Sequence, residues 1–186
     1  MQVMGNVLFA GSAVGRAGWQ FSLFPEAGEG GGSYRRFVTK HSAYVARGKA
    51  ADPERAAIEA GKRARRTFRR YCAANRLNWL GTLTYRGEGC HDPVAARAHL
   101  GEFFRELRDL LGGEPFACAW VPEWHKSDHG LHAHIAVGRQ MKRSLIERAW
   151  GRGFVHIKLL GNLPTGTTSL GEARRVAGYL SKYVAK

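Results

Sequence analysis

The stretch FACAWVPEWHKSDHGLHAHIAV, residues 116–137, decides the fold of this chain. Both ends of the stretch are apolar and rich in β-compatible residues, and they flank a polar segment, Lys126 to Gly130, with the composition of a turn. Two strands joined by so short a turn must run antiparallel. The stretch therefore predicts an antiparallel pair, with strands over residues 116–124 and 131–137.

Similar patterns continue on both sides of this pair. Asp52-Pro53 and Asp92-Pro93 are favourable starts for helices, and Gly112-Gly113 is a favourable end. The further predicted elements are helices over residues 53–76, 93–111 and 142–150, strands over 79–85 and 154–160, and a final helix from Ser169 onward. Together they predict an α+β fold with a central antiparallel β-sheet and flanking helices.

The first third of the chain has one compositional break, AGEGGGS at residues 27–33, whose glycine density predicts a flexible linker. We expect residues 1–33 to form an N-terminal arm with this linker. The remaining residues, 34–186, are predicted to be one domain, in which 34–77 is a basic extension and 78–186 is the catalytic core.

The charge of the chain points to nucleic acid. Lys and Arg number 29 against 15 Asp and Glu, a formal net charge of +14, which is typical of domains that bind polyanions. Charge alone leaves an anionic membrane surface or a basic protein without such a partner as alternatives. The N-terminal apolar run, Val7 to Ala10, is too short for a signal peptide or a spanning helix, so we expect a cytoplasmic protein without membrane contact.

The predicted helix over residues 53–76 carries a dense set of basic side chains. We expect small and aromatic positions to form its packing face, namely Ala57, Ala60, Ala64, Phe68 and Tyr71. The predicted contacts to DNA phosphates on the other side are Lys62, Arg65, Arg66, Arg69 and Arg70.

His132 and His134 are candidate metal ligands, because residues two apart on a strand point to the same face. A metal needs further ligands, and Glu123 on the adjacent predicted strand is the best third candidate. A carboxylate suits hard divalent ions such as Mg²⁺ and Mn²⁺. His125, which has the same strand parity as Glu123, and His129 in the turn are the alternatives.

The terminal segment GYLSKYVAK, residues 178–186, supplies candidate nucleophiles. If the final helix continues through it, Tyr179, Lys182 and Tyr183 share one side of that helix. Val176, Leu180 and Val184 form a separate apolar stripe suited to packing, which favours a chemical role for the tyrosines. Because the chain stops soon after this motif, we expect a nuclease domain that belongs to a longer protein.

The His-Ala-His triplet followed by the Tyr/Lys segment resembles the HUH endonucleases, specifically the rolling-circle replication initiators of small phages and plasmids. The strand WLGTLTYRG at residues 79–87 is similar to the first motif of that family. The tyrosines follow the histidines, as in initiators and unlike relaxases, and their spacing resembles that of two-tyrosine initiators of the gene A type. The resemblance covers residues 78–186.

This resemblance implies a ferredoxin-like or RRM-like sheet, a bound Mg²⁺ or Mn²⁺, and a carboxylate on the strand of Glu123. It also implies that Tyr179 or Tyr183 attacks DNA to leave a 5′-phosphotyrosine and a free 3′-hydroxyl, with Lys182 as helper. The expected partner is single-stranded DNA at a replication origin, with a host helicase or polymerase in addition. Further predicted DNA contacts are Thr82, Thr84 and Lys186, and candidates for base stacking are Trp120, Trp124, Tyr85 and Trp150.

Two other functions fit parts of the pattern. A two-tyrosine transposase of the insertion-sequence or Helitron kind uses the same chemistry in another context. A non-catalytic, RRM-like nucleic-acid binder would carry the histidine pair incidentally, and it would bind without dependence on metal. The threonines of the first strand also have a simple strand-forming role as an alternative.

Overall fold

The computed structural model of the chain describes residues 6–10, 18–35, 44–46, 48–158 and 167–184. Helices and strands alternate along these residues, and neighbouring strands in each sheet are antiparallel, so the predicted α+β class is confirmed. The elements are β1 (Asn6–Ala10), β2 (Gly18–Phe24), β3 (Glu29–Arg35), α1 (Pro53–Ala74), β4 (Trp79–Tyr85), α2 (Pro93–Leu110), β5 (Cys118–Trp124), β6 (Leu131–Val137), α3 (Arg143–Trp150), β7 (Gly153–Lys158) and α4 (Ser169–Leu180).

The larger sheet contains four strands in the order β5-β6-β4-β7. In the chain these strands and their helices follow one another as β-α-β-β-α-β, which is the ferredoxin-like arrangement. The β5–β6 pair is the antiparallel pair expected from residues 116–137, and it begins at Cys118 rather than Phe116. Because β6 and β4 are central, side chains on them have neighbours on both sides.

One face of this sheet is covered by α2 and α3. Asp92 caps α2 by accepting a hydrogen bond from the backbone N–H of Val94, and Pro93 fits the first turn. The buried side chains of α2, among them Leu100 and Phe103, pack with Trp150 of α3 against the apolar positions of the strands. This cluster is the main hydrophobic core and fixes the orientation of the sheet.

The opposite face is covered only in part, by α1 and α4. Val176 and Leu180 of α4 and Cys72 of α1 pack on Leu80 and Ala136, one end of the face. The remaining positions on this face are polar or exposed, and they continue along the same strands beyond the core. The second core therefore ends where the polar positions begin.

The packing side of α1 differs from the prediction. Ala57, Ala60 and Ala64 are exposed, whereas Gly61 and Cys72 are buried. Alanine buries little apolar area and so constrains the orientation of a helix weakly. The larger side chains near the end of α1 determine which side faces the sheet.

The predicted linker at residues 27–33 is wrong for its last five residues. Glu29–Arg35 forms β3, whose glycines pair in register with Phe21, Ser22 and Leu23 of β2 in a three-stranded sheet. Glycine weakens a strand, but a neighbouring strand supplies the backbone hydrogen bonds that a linker would lack. The division of the chain at residues 33 and 77 stays a prediction.

The helices were also compared with the requirements of a membrane span. Within the described residues, no helix combines the length and the apolar character that crossing a bilayer requires. The basic helix α1 is instead amphipathic, with mostly exposed charges.

Candidate metal and nucleophile site

Three candidate ligands meet on the partly covered face of the larger sheet. Glu123 on β5 lies opposite His132 on β6 in the strand register, and His134 lies two residues further along β6. Glu123 Oε2 is 3.0 Å from His134 Nε2 and 3.3 Å from His132 Nε2, and the two histidine Nε2 atoms are 3.3 Å apart. These three residues form a group that could hold a metal ion.

The spacing of these atoms fits a single divalent cation. With ligand bonds of about 2.1 Å, adjacent ligands of an octahedral or tetrahedral ion are about 3.0 to 3.4 Å apart. In addition, His132 Nδ1 is buried and has no hydrogen-bond partner within the described residues. An unpaired buried nitrogen is costly, and a functional constraint, a water or an ion is its usual explanation.

The protonation of His132 also suits a ligand. Burial lowers the pKa of the His132 imidazole and the neighbouring His134 lowers it further, while Glu123 acts in the opposite direction. The net shift is downward, so the ring is neutral near pH 7 and keeps a lone pair for coordination. Glu123 contributes the negative charge of the group.

Thr82 orients the second histidine ring. On β4, Thr82 lies opposite His134 in the register, and its Oγ1 is 3.1 Å from His134 Nδ1. When Nε2 carries the lone pair, Nδ1–H donates to the threonine oxygen, so this contact selects the tautomer that presents Nε2 to a metal. Thr82, predicted as a DNA contact, thus supports the candidate ligand set.

The two alternative third ligands lie elsewhere. His129 Nε2 is 2.9 Å from the carbonyl oxygen of Tyr85, and His125 Nδ1 is 2.6 Å from Ser127 Oγ. Glu123 is therefore the residue that the structure brings onto the histidine pair.

The turn between β5 and β6 holds Glu123 in register. Gly130 has a φ of +73°, and a Cβ atom there would overlap the backbone of Cys90. The backbone N–H of His125 donates to the Gly130 carbonyl at 2.8 Å, and that of Leu131 donates to Cys90 at 2.7 Å. A glycine at this position lets the turn close tightly, which sets Glu123 opposite His132.

The final helix is shorter than predicted. Helix α4 ends at Leu180, and Lys182 and Tyr183 lie in the turns that follow it. Their backbone N–H groups donate to the carbonyls of Tyr179 and Leu180, three residues back, at 3.3 and 3.0 Å. Such bonds tighten the end of a helix, so the three predicted residues do not share one regular helical side.

The tyrosine hydroxyls are nevertheless adjacent, and each ring has its own surroundings. Tyr183 OH donates to Tyr179 OH at 3.1 Å. The Tyr183 ring stacks on His134 with centroids 4.4 Å apart, whereas the Tyr179 ring is 6.1 Å from that histidine. Lys158 Nζ lies 4.5 Å and Lys182 Nζ 5.7 Å from the centroid of the Tyr179 ring.

These surroundings affect the acidity of Tyr183. Its hydrogen bond to Tyr179 raises the pKa of the Tyr183 phenol, and burial and the charge of Glu123 raise it further. In the absence of a compensating cation, the phenol stays protonated at neutral pH. A cation held by Glu123 would remove the last of these causes.

Two of the five predicted DNA-binding side chains of α1 hold other parts of the fold. Arg65 Nε donates to the carbonyl of Val184 at 3.0 Å, which ties α1 to the tyrosine segment. Arg70 forms an ion pair with Glu29 at 2.9 Å and lies over the ring of Phe24.

The other basic positions differ in their partners. Lys62 pairs with Glu59 at 2.8 Å on the exposed side of the helix. Arg66 and Arg69 are exposed and have no ion pair within the described residues, so they remain the best placed for phosphate. Lys186 lies outside the described residues.

Sequence reasoning missed a row of side chains on β7. Phe154, His156 and Lys158 alternate along this edge strand, are exposed, and point to the same face as the candidate ligands, because His156 and Phe154 pair with Thr82 and Thr84. Phe154 is 69% exposed. The alternation in GFVHIK, residues 153–158, was the signal that could have found them.

The aromatic stacking candidates are divided by burial. Trp150 is 0% exposed, and its Nε1–H donates to the carbonyl of Thr84. Tyr85 is also buried and contacts Trp150 edge to face, so both belong to the core. Trp120 is half-buried, and Trp124 is 54% exposed.

Comparison with known proteins adds a family. A family model described as a replication-associated protein of the ORF2 type matches residues 78–186. Searches of curated proteins and of solved structures find no match. The matched residues make up more than half of the chain and contain the whole larger sheet, the three candidate ligands and both tyrosines. The chain therefore belongs to this family of replication-associated proteins.

Proposed function

We propose that the protein nicks and rejoins single-stranded DNA at a specific site, through a 5′-phosphotyrosine intermediate and with a divalent metal, to initiate rolling-circle replication. The observation that carries this proposal is the stacking of the Tyr183 ring on His134, whose Nε2 atom meets Glu123 Oε2 at 3.0 Å. A candidate nucleophile thus contacts a candidate metal ligand directly.

Glu123, His132 and His134 would hold the metal, and a mixed set of nitrogen and carboxylate ligands suits Mn²⁺ or Mg²⁺. When bound, such a cation supplies Lewis-acid polarisation of the scissile phosphate and orients it for attack. Thr82 keeps the His134 ring in the productive orientation through its hydroxyl.

Tyr183 is proposed as the first nucleophile because its ring is closer to the ligands than that of Tyr179. Its oxygen forms a bond to phosphorus, the bond from phosphorus to the 3′-oxygen breaks, and the departing 3′-oxygen takes up a proton. The phosphotyrosine keeps the energy of the broken linkage, so a 3′-hydroxyl can reverse the step without a nucleotide cofactor.

The proton of Tyr183 has a defined path at the start of this step. Tyr183 OH donates to Tyr179 OH, and the Tyr179 ring lies under the ammonium group of Lys158, with that of Lys182 further away. Positive charge beside the acceptor hydroxyl stabilises negative charge that develops on the tyrosine pair. Tyr179 would serve as the second nucleophile, which attacks the regenerated site after a round of synthesis.

The family match supports replication as the setting rather than transposition, since the matched family is replication-associated. The substrate would be the single strand of a replication origin, held in part by Arg66 and Arg69 of α1. A free 3′-hydroxyl is a primer end, so a host polymerase and helicase are the proposed partners downstream of the nick.

The test is covalent capture. The protein is incubated with a library of end-labelled single-stranded oligonucleotides in Mn²⁺, and denaturing gels are searched for a protein–DNA adduct. We expect an adduct on the strand 3′ of the cleavage site, which disappears with EDTA and in His132→Ala and His134→Ala. Binding of DNA without any adduct in Mn²⁺ or Mg²⁺ would instead support a non-catalytic binder and refute the proposal.

A further inference from the structure

A groove with a volume of about 630 Å³ runs between helix α2 and the edge strand β5. Trp120, Pro122 and Trp124 form the wall on the strand side, because alternate residues of β5 share one face. Ala96 and Leu100 of α2 form the opposite wall. The groove is thus mostly apolar, with two tryptophan rings, and its volume lies in the usual range for ligand sites, about 300 to 1,000 Å³.

The groove continues into the candidate metal site. Glu123 and Tyr183 belong to its lining together with the tryptophans, although Glu123 points to the other face of the strand. This is possible because β5 is an edge strand with open space beside it. A chain that occupies the groove can therefore reach both a candidate ligand and the candidate first nucleophile.

The rim of the groove is positively charged. Arg97 and Lys126 line it, are exposed, and have no ion pair in the part of the chain that the structure describes. Glu123 is the acidic residue of the lining and is engaged with the histidine pair. Apolar ring faces between two cations suit a polyanion that presents flat, unpaired bases.

We propose that this groove binds the unpaired bases next to the scissile phosphate, with Trp124 as a stacking surface and Arg97 and Lys126 as phosphate contacts. The inference rests on the proposed nicking function for the identity of the strand. It adds a base-binding subsite that sets the position of the strand across the metal ligands. Trp124 is then a positioning residue, because it acts on the strand rather than on the reacting atoms.

The test measures binding without metal, so that it is independent of cleavage. Affinities for the oligonucleotide dT12 and for a 12-mer of abasic residues are measured in EDTA by fluorescence anisotropy. We expect the wild type to prefer dT12, and Trp124→Ala to lose about 5- to 150-fold in affinity for dT12, the range for one stacked base. Its affinity for the abasic 12-mer should stay unchanged, and Trp124→Phe should restore most of the preference.

Trp19→Ala is the matched control, because Trp19 on β2 is 55% exposed against 54% for Trp124 and lies outside the groove. It should keep the preference for dT12. Equal affinity of the wild type for both 12-mers, or a full preference in Trp124→Ala, would overturn the proposal. So would a dimer in sedimentation that Trp124→Ala dissociates, because the groove would then receive a second copy.

The adduct assay separates this result from the proposed function. A wild-type adduct in Mn²⁺ with no base preference would reject the groove while keeping the nicking activity. A base preference that depends on Trp124, without any adduct, would keep the groove and reject the activity.

Discussion

Replacing Thr82 by valine tests whether the strand register around the ligands controls metal binding. Valine keeps the shape of the side chain and removes the hydroxyl, whose oxygen lies 3.1 Å from His134 Nδ1. His134 is 6% exposed, so water reaches the orphaned nitrogen poorly. The ring then loses the contact that selects its tautomer.

The magnitude follows from this burial. A buried polar group that loses its partner costs about 1 to 3 kcal/mol, which for a domain of this size lowers Tm by about 2 to 4 °C for each kcal/mol. Loss of a hydrogen bond to a ligating histidine weakens metal affinity about 10- to 100-fold. We therefore expect both a lower Tm and a higher Mn²⁺ concentration for half-maximal adduct formation.

The assay is titration calorimetry with Mn²⁺, together with thermal unfolding in EDTA. Thr82→Ser keeps the hydroxyl and should bind Mn²⁺ within about threefold of the wild type. Thr84→Val makes the same change at the next position on this face, opposite His132, and should leave Mn²⁺ affinity nearly unchanged. If Thr82→Val binds Mn²⁺ as tightly as Thr82→Ser, the contact does not orient His134 and the reasoning is refuted.

Three further changes test the rest of the site. Glu123→Gln should weaken Mn²⁺ binding by at least about tenfold, because a charged ligand becomes neutral, while single-strand affinity in EDTA stays the same; an unchanged calorimetric titration would exclude Glu123 as a ligand. Tyr183→Phe should lose more adduct than Tyr179→Phe, and the double variant should form none, as peptide mass spectrometry of the adducts would establish; an adduct in the double variant would remove both from the mechanism. Replacing Arg66 and Arg69 by glutamine should lower the slope of log affinity against log salt by about 1.4 on single strands; an identical slope would place the phosphate contacts elsewhere.

Local patterns predicted the larger sheet well. The bounds of β4 and β6 agree with the expected strands, because alternation and flanking turn residues mark both ends of such strands. The same parity argument put His132 and His134 on one face. It also singled out Glu123, since a short turn constrains which residues of two strands can meet.

Contacts between distant parts of the chain could not be predicted in this way. Thr82 and His134 are 52 positions apart, and parity gives the face of each strand but not the register that pairs them. The partners of Arg65 and Arg70 likewise come from the tyrosine segment and from β3, so their charge alone suggested DNA.

The end of α4 and the glycine-rich strand failed for a different reason. Helical periodicity continues through Tyr183 in the sequence, yet the last backbone bonds shift to a spacing of three residues. The glycines of β3 have a weak strand preference of their own and depend on pairing with β2. In both places the outcome depends on which hydrogen-bond partners are within reach.

The hydrogen bond between the two tyrosine hydroxyls limits how the site can be used. With the oxygens 3.1 Å apart, two adjacent phenolates would repel each other strongly, so we expect the pair to give up one proton at a time. Mutual exclusion of this kind makes the two oxygens act alternately. A 5′ end bound to one tyrosine would then leave only after the other has attacked, and the protein would transfer DNA ends one by one without releasing an open strand.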